Sequence, residues 1–236
     1  MRKIILLFAE TALELVPQEL IGNGIIRQEA KKRHLKPDNI LLDSNKHDML
    51  MRSLPMHGKR GRPDIIHFSL LTALESIANK ENLIWKVYVH TCDNNLLEIL
   101  PETRLPRVYN RFVGIMEQVL FGGSSQFIKM ERGVAFGKAL EKAIGSHQPK
   151  IYFFNEKGKG LNLADFSSDL RKALSSKGNS PILLVFGCFP HGMIADENRS
   201  ALLKSGATEI RFGNRQLTVW TLVGTAINLY ELEAGL

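Results

Sequence analysis

Only two cysteines, Cys92 and Cys188, occur in 236 residues. Their spacing suggests no zinc site, and two thiols argue against a disulfide framework, so a reducing cytosol is the expected compartment. Long hydrophobic runs are also missing. Residues 4–9 are apolar but too few for a signal-peptide core, and Glu10 ends the run. The longest uncharged apolar-rich stretch, residues 216–230, falls short of the roughly 20 residues a membrane span needs. No GxGxxG comes after the first apolar run, and no Walker A, HExxH or GxSxG pattern occurs. These absences argue against an opening dinucleotide site, a P-loop, a zinc protease and a nucleophile elbow. The expectation is a cytoplasmic protein with no membrane and no metal partner.

The chain is 44% hydrophobic and 23% charged, enough apolar material for one sizeable core. Lys and Arg total 31 against 24 Asp and Glu, a net charge of +7. A positive balance favours polyanionic partners, although many basic proteins bind no nucleic acid. Where the charge sits has to decide.

Periodicity suggests alternating strands and helices. Residues 3–9 read as a buried strand, apolar without alternation. A helical pattern begins near Pro17, and Asp43 suits a helix N-cap before Leu50 and Met51. Pro63 suits a first helical turn that continues through Ile66, Leu70, Leu74 and Ile77. Strands are expected at 83–90 and 96–100 with a turn between them, then a helix over 106–120 striped with Tyr109, Phe112, Val113, Met116, Val119 and Leu120. The second half reads as strand 150–154, helix 163–174, strand 181–186, helix 197–204 and strand 208–212. It ends in a long helix over 217–233, striped with Trp220, Val223, Ile227 and Tyr230. The alternation implies an α/β fold with a largely parallel sheet flanked by helices.

Two basic segments stand out. In TRLPRVYNRF, Arg104, Arg107 and Arg111 are spaced i, i+3 and i+7, which on a helix places them on one face. Stacked guanidiniums repel one another unless an anion sits among them, and guanidinium matches phosphate in a bidentate way. Solvated arginines paired with an acid such as Glu102 would give the same pattern. In HGKRGRPD, Lys59, Arg60 and Arg62 share a short loop. Asp64 can hydrogen-bond Arg62 and fix its direction, or serve simply as a first-turn acid stabilised by the helix dipole.

Two glycine loops come after predicted strands. LLVFGCFPHG places Gly187 and Gly192 after one strand, and IRFGNRQLTVW places Gly213 and Asn214 after another. Loops at the carboxyl ends of neighbouring strands form a ligand crevice in open α/β sheets. Either loop alone favours a plain turn, and only the two together suggest a crevice. The histidines are scattered: His67 and His90 read as structural, and His191 in the glycine loop proves nothing by itself.

ALELVP near the start, GRPDIIHFSLL, RLPRVYNRF, VFGCFPHG and FGNRQLTVWTLVGTA occur in this order, and together they resemble the essential ribosome-biogenesis methyltransferase family that modifies N1 of pseudouridine, in its compact archaeal form. The resemblance spans almost the whole chain. It implies a single SPOUT-type methyltransferase domain over 1–236 with inserted segments around 43–80 and 122–148, a C-terminal trefoil knot over about 181–236, and a homodimer. It implies S-adenosyl-L-methionine as cofactor, held mainly through backbone groups at Gly187, Gly192, Phe212, Gly213, Asn214, Arg215, Gln216 and Leu217, with Phe153 a weaker candidate. It implies small-subunit ribosomal RNA as partner, contacted by Arg62, Arg104, Arg107 and Arg111, with Asp64 orienting Arg62. Eukaryotic members carry an NYPLS-like run where this chain has NRQLT, and residues 122–148 match no family motif.

The reaction this implies is attack of N1 of a splayed-out pseudouridine on the methyl of the sulfonium. An aspartate paired to arginine is a poor base, so no general base is assigned. A ribosome assembly factor with an inactive cofactor pocket fits the arginines equally well; a SPOUT methyltransferase acting on transfer RNA is a third reading, and the RPD and RxPRxxxRF pair argues against it.

Overall fold

The computed structural model describes residues 2–123, 125–176 and 178–236. Among them the chain runs β1 (Ile4–Thr11), α1 (Gln18–Ile21), α2 (Gly24–Arg33), α3 (Ser44–Met51), α4 (Pro63–Leu74), α5 (Ile77–Lys80), β2 (Ile84–Thr91), β3 (Leu96–Ile99) and α6 (Tyr109–Phe121). It continues with β4 (Ile128–Glu131), α7 (Phe136–Ile144), β5 (Lys150–Leu161), α8 (Leu163–Ser175), β6 (Ile182–Gly187), α9 (Asp196–Lys204), β7 (Thr208–Phe212) and α10 (Val219–Ala234).

The strands form a seven-stranded mixed sheet in the order β4-β3-β2-β1-β6-β5-β7. The pairs from β2 through β1, β6 and β5 to β7 are parallel, and β3 alone runs the other way, pairing antiparallel with both β2 and the edge strand β4. β1 is central and buried along its whole length. Ile4, Leu6 and Phe8 face a core shared with α4, α6, α8 and α10, and Ile5, Leu7 and Ala9 face one shared with α7 and α9. Coverage on both faces explains the unbroken apolar run. A smaller cluster, including Val16, Leu20, Ile26, Leu42 and Met51, holds α1, α2 and α3 together.

Local signals placed several boundaries. Asp43 Oδ1 accepts from Asn45 N at 2.9 Å and caps α3, and Pro63 occupies the first turn of α4. Several elements differ from expectation. α4 ends at Leu74, because Ser76 caps the separate short helix α5 and leaves Ile77 exposed. β5 runs on to Leu161 because β7 pairs with both of its halves. Phe154 and Lys159 both register with Ile210, so residues 155–158 bulge outward. Gly158 permits this: a Cβ there would lie 2.6 Å from the Ile210 backbone. The stretch 122–148 contains β4 and α7, and within it Ser124 lies outside the described residues.

Candidate active site and nucleic-acid face

The carboxyl ends of β5, β6 and β7 open into a shallow cleft of about 100 Å³. The loop after β6 contributes Gly187, Gly192, Met193 and Ile194 to its lining, and the run after β7 contributes Arg215, Gln216 and Leu217. Phe153 and Phe212 form part of the floor. Six of the eight predicted cofactor residues therefore converge here. Gly213 and Asn214 belong to the same loop but do not line the cleft. Gly192 has φ +93°, and a Cβ there would meet Lys59 Cε at 3.2 Å, so the tight loop needs glycine.

The lining suits an adenosyl sulfonium compound. Phe153, Phe154, Ile194, Ile210 and Phe212 offer apolar walls, and Asn155, Arg211, Arg215 and Gln216 bring polar side chains to the same lining. Arg211, also in the lining, keeps its buried Nε without a hydrogen-bond partner among the described residues. A buried donor left unmade is costly unless a ligand acceptor reaches it. The residues fit the cofactor.

A second cavity adjoins the first and shares Phe189, Pro190, Gln216, Leu217 and Val219 with it. Arg62, His191 and Trp220 close its far side. The Asp64 carboxylate accepts Arg62 Nε and one terminal nitrogen, both at 2.7 Å. This fork holds the guanidinium charged, raising its pKa first through those hydrogen bonds and then, against the cost of burial, through charge. Tyr109, at the start of α6, donates to Asp43 Oδ2 at 2.7 Å, and burial followed by that bond pushes its phenol pKa up. α6 thus docks beside the Arg62 loop.

The other arginines do not share a helical face. α6 begins at Tyr109, so Arg104 and Arg107 lie in the extended segment before it and only Arg111 is helical. Pro106 disfavours helical backbone at Leu105 and so keeps Arg104 off the helix, and the extended N-cap Val108 leaves Arg107 before its start. The Pro106 carbonyl lies 2.7 Å from His67 Nε2, a tertiary bond that holds the segment extended. All three arginines remain exposed. Arg107 approaches Glu75 at 3.4 Å rather than Glu102. The apolar side of α6 is as expected, with Phe112 and Met116 fully buried.

His67 stacks on Phe112 at 4.3 Å, and His90 is buried near the Val134 carbonyl at 3.1 Å, so both are structural. Sequence reading missed the glutamates that support the site. Glu14, almost wholly buried, binds Arg60 through two hydrogen bonds, and Glu10 binds Lys59 at 2.8 Å. Both lie in or just after the first strand, where the apolar run is the conspicuous signal. Trp220 is legible in the sequence only as part of an apolar stripe.

Comparison with known proteins places this geometry. The family model described as EMG1/NEP1 methyltransferase matches residues 4–231. The chain is 36% identical to the ribosomal RNA small subunit methyltransferase Nep1 of Methanothrix thermoacetophila, covering 98% of each chain. It is 36% identical to the protein of that name from Thermococcus kodakarensis, over 98% of this chain and 99% of that one. The crystal structure of Archaeoglobus fulgidus Nep1 bound to S-adenosylhomocysteine superposes with a TM-score of 0.80 at 31% identity, over 100% of this chain and 99% of the other. Among the described residues no helix is long and apolar enough to cross a membrane.

Proposed function

This chain belongs to the EMG1/NEP1 methyltransferase family, and on that premise we propose that it methylates N1 of a pseudouridine in small-subunit ribosomal RNA. It is an S-adenosylmethionine-dependent methyltransferase of small-subunit ribosomal RNA, as its relatives' names and the S-adenosylhomocysteine complex of a homologue support. The N1 position and the pseudouridine rest on the family resemblance.

The observation that carries the site assignment is the shared wall between the two cavities. A base drawn in against Arg62 lies across Phe189 and Leu217 from the cofactor cleft. S-adenosylmethionine supplies an electrophilic methyl on a cationic sulfonium. Arg62, held by Asp64, receives RNA phosphate or base oxygen. Arg104, Arg107 and Arg111 extend the cationic face along the strand leading to it. The cleft loops contribute proximity and orientation. N1 of pseudouridine is free because the sugar is attached through carbon; it would take the methyl as the donor's S–CH3 bond breaks to leave the neutral thioether, with the N1 proton passing to water.

The same reading treats residues 1–236 as one methyltransferase domain, with segments around 43–80 and 122–148 as insertions and a trefoil knot over about 181–236. β6 lying between β1 and β5 is consistent with such threading. It also includes a cytoplasmic homodimer. Exposed Phe68 on α4 tilts against Trp220 on α10 with ring centroids 5.5 Å apart, an apolar surface suited to burial.

The test is mass-spectrometric mapping of methyl groups on small-subunit ribosomal RNA treated with purified protein and methyl donor. A single added methyl on pseudouridine is expected. Transfer to another base, or only to transfer RNA, would overturn the N1 assignment, and no transfer with intact RNA binding would favour an assembly factor.

A further inference from the structure

Glu10 has no place in the methyl-transfer scheme, yet its setting is unusual. It lies near the end of β1 with φ +49°, a left-handed conformation uncommon for a residue with a side chain. The pairing of β1 with β2 shifts register between Phe8 and Thr11, so Glu10 sits in a bulge. Bulges of this kind redirect a side chain beside a functional site.

The side chain so directed is nearly buried and joins three segments. Its Oε1 accepts from Ala195 N at 2.7 Å and from Asn198 Nδ2 at 2.8 Å. Those bonds fix the end of the loop that brings Gly192, Met193 and Ile194 to the cofactor cleft. Its Oε2 accepts from Lys59 Nζ at 2.8 Å. Lys59 lies three residues before Arg62, and its ammonium stands 4.4 Å from the centre of the Phe189 ring. Phe189 belongs to the wall between the two cavities. The Lys59 stem also packs where a Cβ on Gly192 would be. One carboxylate therefore holds the cofactor loop with one oxygen and the arginine loop with the other.

We propose that Glu10 is a positioning residue that sets the cofactor loop and the Arg62 loop in register through Lys59, so that cofactor and RNA bind cooperatively. This rests on the proposed methyltransferase reading. A ligand that draws in the 188–195 segment moves Lys59, and Lys59 carries the movement to Arg62. Coupling of this type is reciprocal, so each ligand must change the other's affinity by the same factor.

The experiment measures the affinity of a fluorescent hairpin RNA containing one pseudouridine, with and without saturating S-adenosylhomocysteine. Wild type is expected to bind the RNA at least about fivefold more tightly with the cofactor product present. Lys59→Met should bring that ratio close to one while each ligand still binds alone. Glu10→Gln keeps an oxygen for Ala195 and Asn198 but removes the charge facing Lys59, and should give the same loss. Lys59→Arg, which can reach Glu10 and stack on Phe189, should restore most of the coupling. A wild-type ratio of one, or full coupling in both Lys59→Met and Glu10→Gln, overturns the proposal. If wild type binds neither ligand, the methyltransferase reading fails instead. A merely structural tie would lower stability in these variants without changing the ratio, and that result also overturns the proposal.

Discussion

Asp64 and Arg62, two residues apart, meet through two parallel hydrogen bonds of 2.7 Å across the start of α4. The geometry is possible because Pro63 begins the helix and turns Asp64 back toward the residue before it. Asp64→Asn removes the charge and one acceptor, leaving Arg62 free to swing. Methyl transfer should fall by about 100-fold, the scale of a misplaced reacting group. Stability should change by no more than about 1 kcal/mol, because the pair is partly exposed. Steady-state rates beside a thermal melt check both, and an unchanged rate would remove Asp64 from the site.

Gly192 and Gly213 both have positive φ, +93° and +63°, but only Gly192 has a neighbour where a Cβ would go. Gly192→Ala should weaken S-adenosylhomocysteine binding about tenfold, equivalent to about 1.4 kcal/mol. Gly213→Ala bears backbone strain without the clash, and it should weaken binding less. Calorimetry on the two variants separates crowding from conformational strain.

If four arginines contact a single strand, the salt slope of RNA affinity should be about −3 on a log–log plot. Arg111→Ala should reduce its magnitude by about 0.7. Glu75→Gln releases Arg107 from its 3.4 Å neighbour and should strengthen RNA binding at low salt. Binding titrations across salt concentrations read both effects.

Glu14 is 2% exposed and accepts Arg60 Nε and one terminal nitrogen with its two oxygens, and the Cys92 thiol donates to it at 3.3 Å. Burial and the nearby carboxylate push the Cys92 pKa up, so the thiol stays neutral beside it. Glu14→Ala leaves Arg60 charged and without this partner at a partly buried position and should cost about 1–3 kcal/mol. In urea the midpoint should drop with an unchanged slope. Breaking the exposed Lys138–Glu141 pair should change neither.

His90 is buried, and desolvation is the main cause that lowers its pKa below 6.5. The unfolded chain therefore takes up a proton at a pH where the folded chain does not. Its contribution to stability is fully present above about pH 6.5 and is lost as pH falls through the lower folded-state value. His90→Gln should flatten the unfolding free energy across that window, and denaturant titrations at several pH values would show it.

The parts of the fold that could be read from sequence were those set locally. β1, β7 and α8 follow from apolar periodicity, and the α3 boundary from the cap at Asp43. The second half of β5 was hidden because NEKGKG is polar and becomes a strand only by pairing with β7. The arginine spacing suggested one helical face, yet Pro106 and its distant partner His67 hold the segment extended. The cleft was visible as two glycine loops. Its supports at Glu10 and Glu14 were not, because their partners Lys59 and Arg60 lie more than forty positions away.

The central place of β1 matters for how the chain is made. Its β2 edge can pair early, but its other edge waits for β6, which ends at Gly187. Tyr230, near the end of α10, then donates its phenol to the Arg2 carbonyl, so the last helix closes over the first strand. During synthesis a strand that is apolar from Ile4 to Ala9 therefore sits with one side unpaired until most of the protein has left the ribosome, the condition in which nascent chains associate with one another. Rapid translation without chaperone cover should yield inclusion bodies, and slowing synthesis after residue 187 should rescue little. The delay that matters comes before that point.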